Sequence, residues 1–530
     1  METSTLPAPA SIPSRRRRWL KRAGWGVVWL FTLAMLAREI ENWRGRKAWE
    51  AYVAGMEAKG ERFDLESVLP PPVPDAENFA RAPIFEPLSD YKQDSPPSAL
   101  HGRDEKVAQV VKTIHAAPPF RNEKAVNALK EIKVRPTGEA PIGNWRKGTA
   151  SNLQILADAY RKDSSYPHAP EQSTPAEEVL MALTKYDKEY AGFRDACARP
   201  KSRFPLRYED NVAMPMPHLQ VLLNFAKLAQ TRALAELALG KVDAAFADEN
   251  MIFRAGEAIQ DEPVLIALLV RVSILEVGMQ PLWEGMVRHQ WTDEQLRTFD
   301  ERLASVNLAA HCRNGIRGER NLFGFLVMDI LKLHPQELYV FMAVNDGTGK
   351  SNPVALAMYL LPTGWWDQNK VAMGYAYEQM LETVDSNAMR FYPERLSSQV
   401  ESHSFAPYTK FADMLTPAAT TVETRSAFTQ GTVNLARIAV ALERHWLKHG
   451  NYPPDLASLD ADAKPAGGSF PLDPATGRAA HYTPADGRFL LYFEGWNQKD
   501  DGGQIVWSEP KSGRADPQNG DWVWPSGIAP

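Results

Sequence analysis

Residues 219–252 read LQVLLNFAKLAQTRALAELALGKVDAAFADENMI, and this stretch decides the fold class. Its first half carries an apolar stripe at helical spacing, formed by Leu219, Leu222, Leu223, Ala226, Ala233, Leu234 and Leu237. Gly240 follows this stripe. Glycine is the residue that commonly ends a helix in the left-handed conformation. A second stripe begins at Val242 and predicts a second helix directly afterwards; it contains Ala245, Phe246, Ile252 and Ile259.

Helical patterns continue on the C-terminal side of this stretch. Pro263 is a suitable first-turn residue for a nearly all-apolar helix that reaches about residue 278. Thr292 and Gln295 have the spacing of a capping box. That box precedes a helix whose apolar residues are Leu296, Phe299 and Leu303. Further helices are predicted over 320–333, 353–361 and 368–386, and the breaker-rich run SFAPYTKFADMLTP (404–417) ends the region.

Residues 116–416 are therefore predicted to form a mainly helical domain. Helices of about twenty residues joined by short breaks favour antiparallel helical hairpins, and a plain bundle fits equally well. The segment LGKVDAAFAD (239–248) resembles the turn of tetratricopeptide-type repeats. No clean 34-residue period accompanies it, so the resemblance to a repeat protein is confined to that turn.

Composition limits the classes of protein that this chain can represent. The 530 residues are 44% apolar and 24% charged, which excludes wholesale disorder. The net charge of −5 provides no general attraction to nucleic acid. Cys197 and Cys312 could form one disulfide or remain as two thiols, and both interpretations stay open.

The N-terminal region contains a predicted membrane helix. Residues 23–37 read AGWGVVWLFTLAMLA without a charge, and including Trp19 and Leu20 gives a nineteen-residue window. A span needs about twenty residues, and Lys21 and Arg22 are able to extend to the headgroups. A cleaved secretory signal is an alternative, but no small-x-small cleavage site follows the apolar run. A buried core helix is the other alternative, and the flanking cations disfavour it.

The charges on either side of this segment predict its orientation. Residues 1–22 form a basic tail that contains RRRR (15–18), Lys21 and Arg22, whereas cations and acids alternate after the span. Because excess cations remain in the cytoplasm, we expect a cytoplasmic N-terminus and a periplasmic bulk. The next most apolar segment, Val264–Val277, is interrupted by Arg271 and Glu276.

Residues 38–115 are predicted to be a stalk and a proline-rich linker. Residues 38–60 have a charged helical pattern that continues the anchor. The run LESVLPPPVPDAENFARAPIFEPL (65–88) follows, and its prolines at 70, 71, 72, 74, 83 and 87 favour an extended linker over a helix.

Residues 417–530 are predicted to form a small α+β domain. An amphipathic helix carries the stripe Phe428, Leu435, Ile438, Ala439, Leu442 and Trp446, and it ends at His449-Gly450. Arg437, Arg444 and Lys448 are expected on its solvent face. Asp486-Gly487 lies between the β-rich runs AAHYT and RFLLYFEG and predicts a hairpin, and QIVW (504–507) and DWVW (521–524) read as two more strands. The antiparallel sheet is expected to cover the helix.

This C-terminal region resembles the globular half of the major pseudopilin of bacterial type II secretion. The resemblance is carried by HGNYPPDLASL (449–459), FPLDPATGRAAHY (470–482), GRFLLYFEGWNQKDDGG (487–503) and GDWVW (520–524), in that order. It covers about 110 residues. A pseudopilin has its membrane helix directly before this module, with a cleavage glycine and a glutamate at the fifth mature position. Here the anchor lies almost 400 residues upstream, and Phe31 is the fifth residue if Gly26 is counted as that glycine.

The resemblance implies a calcium site in the Gly/Asp loop. The matching positions are Asp500, Asp501 and Asp521, with backbone carbonyls around Trp496 and Gln498. Calcium takes six to eight oxygen ligands, which clustered aspartates on a glycine-rich loop provide. A solvated acidic turn is the alternative, and Lys499 within the loop favours it.

Other patterns resemble functional motifs without completing them. DGTGKS (346–351) lacks the first glycine of a phosphate loop, since Val344 occupies that place, so no nucleotide is expected. His445 and His449 have zinc-ligand spacing, but no glutamate follows His445, and histidine also suits a helix end. Two polar pairs have no visible third partner for catalysis: Glu401 with His403, and His311 beside Cys312. The tryptophan pairs Trp365-Trp366 and Trp522/Trp524 indicate no specific ligand.

These observations predict a bitopic, membrane-anchored scaffold of the bacterial envelope that binds other envelope proteins and is not an enzyme. One alternative is an extracytoplasmic hydrolase with its site in the helical domain, and another is a calcium-dependent sensor or adhesion module. A deep pocket with converging acid or histidine side chains would favour the hydrolase, and a groove would favour the scaffold.

Overall fold

The computed structural model describes residues 15–64, 66–92, 120–134, 142–208, 210, 214–333, 361–396, 408–409, 412, 419–509 and 513–529. These residues are mostly helical, with small antiparallel sheets near the C-terminus, as the sequence predicts. Several predictions concern residues outside the described ones: the helix over 353–360, the DGTGKS turn, Glu401, His403 and most of the 404–417 segment.

The α-helices are α1 Arg15–Glu57, α2 Glu123–Lys130, α3 Leu153–Arg161, α4 Pro175–Leu183, α5 Asp187–Cys197, α6 Pro217–Ala238, α7 Val242–Glu257, α8 Leu265–Val287, α9 Asp293–Ala304, α10 Leu308–Gly318, α11 Leu326–Leu333, α12 Gly364–Glu382, α13 Pro393–Leu396 and α14 Ala419–His449. A π-helical stretch, Glu319–Phe325, joins α10 to α11. The strands are β1 Val384–Asp385, β2 Arg390–Phe391, β3 His481–Ala485, β4 Arg488–Phe493, β5 Ile505–Glu509, β6 Arg514–Gly520 and β7 Trp522–Pro525.

The chain divides into two compact units. The first contains residues 1–62, 328–373 and 404–415, and the second contains 63–327, 374–403 and 416–530. The second unit thus combines most of the predicted helical region with the C-terminal module, and residues 328–373 and 404–415 of that region belong to the first unit. The predicted domain boundaries, including the one at residue 417, remain predictions.

Helices α6, α7 and α8 form the centre of the second unit. Gly240 has a φ of 71° between α6 and α7, which is the left-handed conformation predicted for it. Phe193 and Phe225 stack with ring centroids 4.5 Å apart in the core beside these helices. Helix α8 continues beyond its predicted end near residue 278 and includes Pro281. The capping box of Thr292 and Gln295 is present at the start of α9.

The predicted absence of helix in the proline-rich segment is wrong. Phe79–Arg81 and Pro83–Leu88 are 3₁₀ helices, and Phe79, Phe85 and Leu88 are buried. Pro83 occupies the first turn, where its missing N–H has no partner to lose. Burial of the aromatic side chains in the core stabilises the compact form over an extended one. Residues 70–74 form neither a helix nor a strand.

The C-terminal strands form two sheets. One has the order β3-β4-β7, and the other pairs β5 with β6. The hairpin at Asp486-Gly487 is confirmed, with Ala485 opposite Arg488. Strand β6 was not predicted. Helix α14 packs against β4 and β7, where the Trp522 ring lies directly on Gly431.

The prediction that Arg437 and Arg444 face solvent is wrong, because α9 covers that side of α14. Arg437 is 8% exposed, and its Nε donates to Asp300 at 2.7 Å. Arg444 is 9% exposed and pairs with Asp293 at 2.7 Å. Lys448 remains exposed, as predicted.

Within the first unit, α1 has two different halves. Its N-terminal half exposes large apolar side chains from Trp19 to Leu36. In its C-terminal half, Asn42 and Tyr52 are buried, and the Asn42 side chain accepts the backbone N–H of Gly364 at 3.1 Å. The helix predicted after residue 37 is confirmed as far as Glu57, as part of this single helix, and its role as a stalk remains a prediction.

Candidate functional site

The Gly/Asp loop brings the predicted calcium residues into one region of the second unit. The Asp521 carboxylate accepts the backbone N–H of Asp501 at 3.1 Å and that of Gly503 at 2.6 Å. Asp500 accepts the Tyr492 hydroxyl at 2.9 Å and the backbone N–H of Gly502 at 2.9 Å. The carboxylates therefore hold the loop by accepting hydrogen bonds from it.

The electrostatics of this loop differ between its aspartates. Burial raises the pKa of Asp521, and the loop N–H groups partly offset that effect. The N–H of Gly502 and the Tyr492 hydroxyl lower the pKa of Asp500. Asp501 accepts the Asn497 side chain at 2.8 Å. All three acids thus have polar partners within the chain, and calcium binding remains a prediction from the resemblance.

A second candidate site is a cleft of about 470 Å³ in the helical part of the second unit, with both polar and apolar lining residues, which sequence reasoning missed. It is lined by Pro70, Pro71, Val73, Pro200, Lys201, Ser202, Arg254, Glu257, Gln260, Asp261, Arg302 and Ser305. These residues come from the proline run, the segment after α5, the end of α7 with the turn that follows it, and the end of α9 with Ser305 directly after it. No local sequence motif joins them.

The cations of the cleft are already engaged by the protein. Arg302 Nε lies 3.0 Å from Glu257, and Arg302 Nη1 donates to the Asn250 carbonyl at 2.7 Å. Arg254 Nη2 donates to the Arg199 carbonyl at 2.8 Å. Burial raises the pKa of Asp261, the second acid of the cleft. The lining is therefore an ordered set of paired charges around an open space.

Several of the other candidates are buried side chains, whereas Trp365 is half-buried. Trp366, Trp522 and Trp524 are at most 2% exposed, so they belong to the core. His311 is buried, and its Nε2 lies 3.1 Å from the Glu262 carbonyl; burial lowers the pKa of His311 to about 3.

Neither Cys197 nor Cys312 forms a disulfide. Burial raises the pKa of both thiols, that of Cys197 to about 12, which disfavours the reactive thiolate.

Comparisons of the chain with protein-family models, with curated proteins and with solved structures found no match.

Proposed function

We propose that this protein is a single-pass membrane protein of the bacterial envelope that holds a non-catalytic, protein-binding scaffold outside the cytoplasm. The observation that carries the proposal is the exposed apolar half of α1. Trp19, Trp25, Leu30 and Phe31 are each more than 60% exposed. So large an apolar surface on one helix is typical of a membrane or protein contact.

Two helices in the described part of the chain are long and apolar enough to cross a membrane. They differ in burial: the apolar window of α1 is 0% buried, whereas that of α8 is 67% buried inside the protein. Helix α8 is thus accounted for as a core helix, and α1 is not. A nineteen-residue helical window is about 28 Å long, which is close to the hydrocarbon thickness of a bilayer.

The cleft supports a binding function over a hydrolytic one. Glu257 is ion-paired with Arg302 and has Arg254 at 3.9 Å, so its carboxylate is already engaged by side chains of the protein. The proline run at one wall offers rigid apolar contacts, and the paired charges offer hydrogen-bonding groups on the other walls. Such a lining suits an extended peptide segment of a partner that carries both charges and apolar side chains.

An extracytoplasmic hydrolase is the second candidate, because the raised pKa of Asp261 would suit a general acid. A calcium-dependent sensor or adhesion module is the third candidate. Only the pseudopilin resemblance supports it. That resemblance also supports the choice of envelope proteins as partners.

The binding proposal is tested by photo-crosslinking in intact cells. A benzoylphenylalanine placed at Ser305, in the cleft, should yield a discrete adduct, and one placed at the exposed Met181 should not. Arg302→Ala should abolish the Ser305 adduct because it breaks the ion pair that orders the lining. Equal adducts from both positions, or persistence of the Ser305 adduct in Arg302→Ala, would contradict a binding cleft. Loss of a measured hydrolase activity in Asp261→Asn would support the second candidate.

A further inference from the structure

Two histidines and an aspartate meet at the C-terminal end of α14. His445 and His449 lie four residues apart on the helix, and their ring centroids are 4.3 Å apart. Asp460 comes from the segment that follows the 3₁₀ helix Leu456–Ser458. Each of the three residues offers one ligand atom, and these atoms lie within 4.8 Å of one another. No other group of three such residues gathers this closely in the described part of the chain.

The His445 side chain has a ring nitrogen without a hydrogen-bond partner. It is 8% exposed, and its Nδ1 is buried without a hydrogen-bond partner among the described residues. A buried polar atom without a hydrogen-bond partner is unfavourable.

We propose that His445, His449 and Asp460 bind one divalent transition-metal ion of the zinc type, and that the ion fastens the loop after α14 to the last turn of that helix. Two imidazoles and a carboxylate suit zinc, whereas calcium takes oxygen ligands. Three protein ligands leave a fourth position for water. That position is open to solvent, because the side chains of His449 and Asp460 are 39% and 32% exposed.

The Asp460 carboxylate already contacts two side chains of the protein. A metal ion has to compete with these contacts. Asp460 Oδ2 lies 2.7 Å from His449 Nε2 and 3.0 Å from Lys448 Nζ. Lys448 also lies 3.6 Å from Asp462 and is 54% exposed. Metal binding displaces the lysine from Asp460 and leaves Asp462 as its partner.

The arrangement predicts opposite effects of neighbouring substitutions. His449→Ala and Asp460→Asn each remove a ligand, and each should weaken Zn²⁺ binding by at least the roughly 10–100-fold that loss of an outer-shell partner produces. Lys448→Gln removes the competing cation and should tighten binding. If the cluster is only a surface ion-pair network, Lys448→Gln should not increase the affinity for Zn²⁺.

The test is isothermal titration of the untagged, detergent-solubilised full-length chain with Zn²⁺ alone, and with Ca²⁺ in parallel. We expect one saturable Zn²⁺ equivalent, lost in His449→Ala and Asp460→Asn and retained in His168→Ala, which removes an exposed histidine elsewhere. Far-UV circular dichroism of each variant verifies folding, and the exposure of His449 makes unfolding by its loss unexpected. Equal Zn²⁺ binding by all variants, absence of binding by the wild-type chain, or preference for Ca²⁺ would overturn the proposal.

Discussion

Replacing Asp300 should separate α9 from α14 at the ion pair that the sequence did not predict. Asp300 is 4% exposed, and it accepts hydrogen bonds from Arg437 Nε and from the backbone N–H of Ala466. Arg437 also donates to the Ala466 carbonyl at 2.9 Å. Asp300→Ala therefore leaves a buried guanidinium without its counter-charge and a loop N–H without its acceptor.

The expected loss follows from the burial of this pair. Removing one partner of a buried ion pair destabilises a protein by about 3–5 kcal/mol. For a unit of roughly 400 residues the entropy of unfolding is about 0.8 kcal/mol/K, so the melting temperature should fall by about 4–6 °C. Differential scanning fluorimetry of the full-length chain in detergent measures this shift.

A paired replacement distinguishes the loss of charge balance from a general packing defect. Asp300→Leu combined with Arg437→Met removes both charges, and such replacements are often neutral or stabilising. We therefore expect the double variant to recover most of the loss. A fall of less than about 1 °C in Asp300→Ala, or a double variant as unstable as the single one, would refute the reasoning.

Three further predictions concern the C-terminal module. Gly431→Leu places a side chain where the Trp522 ring lies and should destabilise the protein by about 1–3 kcal/mol or more, measured as a fall in melting temperature. Asp521→Ala leaves the N–H groups of Asp501 and Gly503 without their acceptor, so their amide hydrogen exchange should accelerate while that of α6 is unchanged. Burial raises the pKa of Glu443 to about 8, so its contribution to stability is complete below its ordinary pKa near 4.5 and is lost as the pH rises to about 8. Glu443→Gln should flatten the profile of melting temperature against pH over that range, and an unchanged slope would contradict the assignment.

The parts of the fold that the sequence predicts are those set by neighbouring residues. The turn at Gly240, the capping box of Thr292 and the hairpin at Asp486-Gly487 each depend on a few adjacent positions, and all three are present. The local signal for β6 is weak, because RADPQNG contains proline and turn-forming residues. Pairing with β5 stabilises this strand, which the local β-propensity of its residues does not favour.

The parts that the sequence does not predict depend on distant partners. Arg437 reads as a solvent-facing residue of an amphipathic helix until Asp300, which is 137 residues away, is placed beside it. Phe79 and Phe85 draw a proline-rich segment into the core against Phe204, a contact that no local rule contains. The cleft is assembled from separate segments. In the histidine cluster, helical spacing places His445 and His449 together, and only the fold brings Asp460 to them.

The topology of the chain in the membrane tests the central proposal most directly. Protease digestion of intact cells, of spheroplasts with a permeabilised outer membrane, and of detergent-lysed cells can be followed with an antibody against residues 417–530. We expect this region to stay with the membrane after alkaline extraction and to be digested in spheroplasts without lysis of the inner membrane. Digestion only after detergent lysis, or release of the intact chain by alkaline extraction, would contradict an extracytoplasmic scaffold anchored by α1.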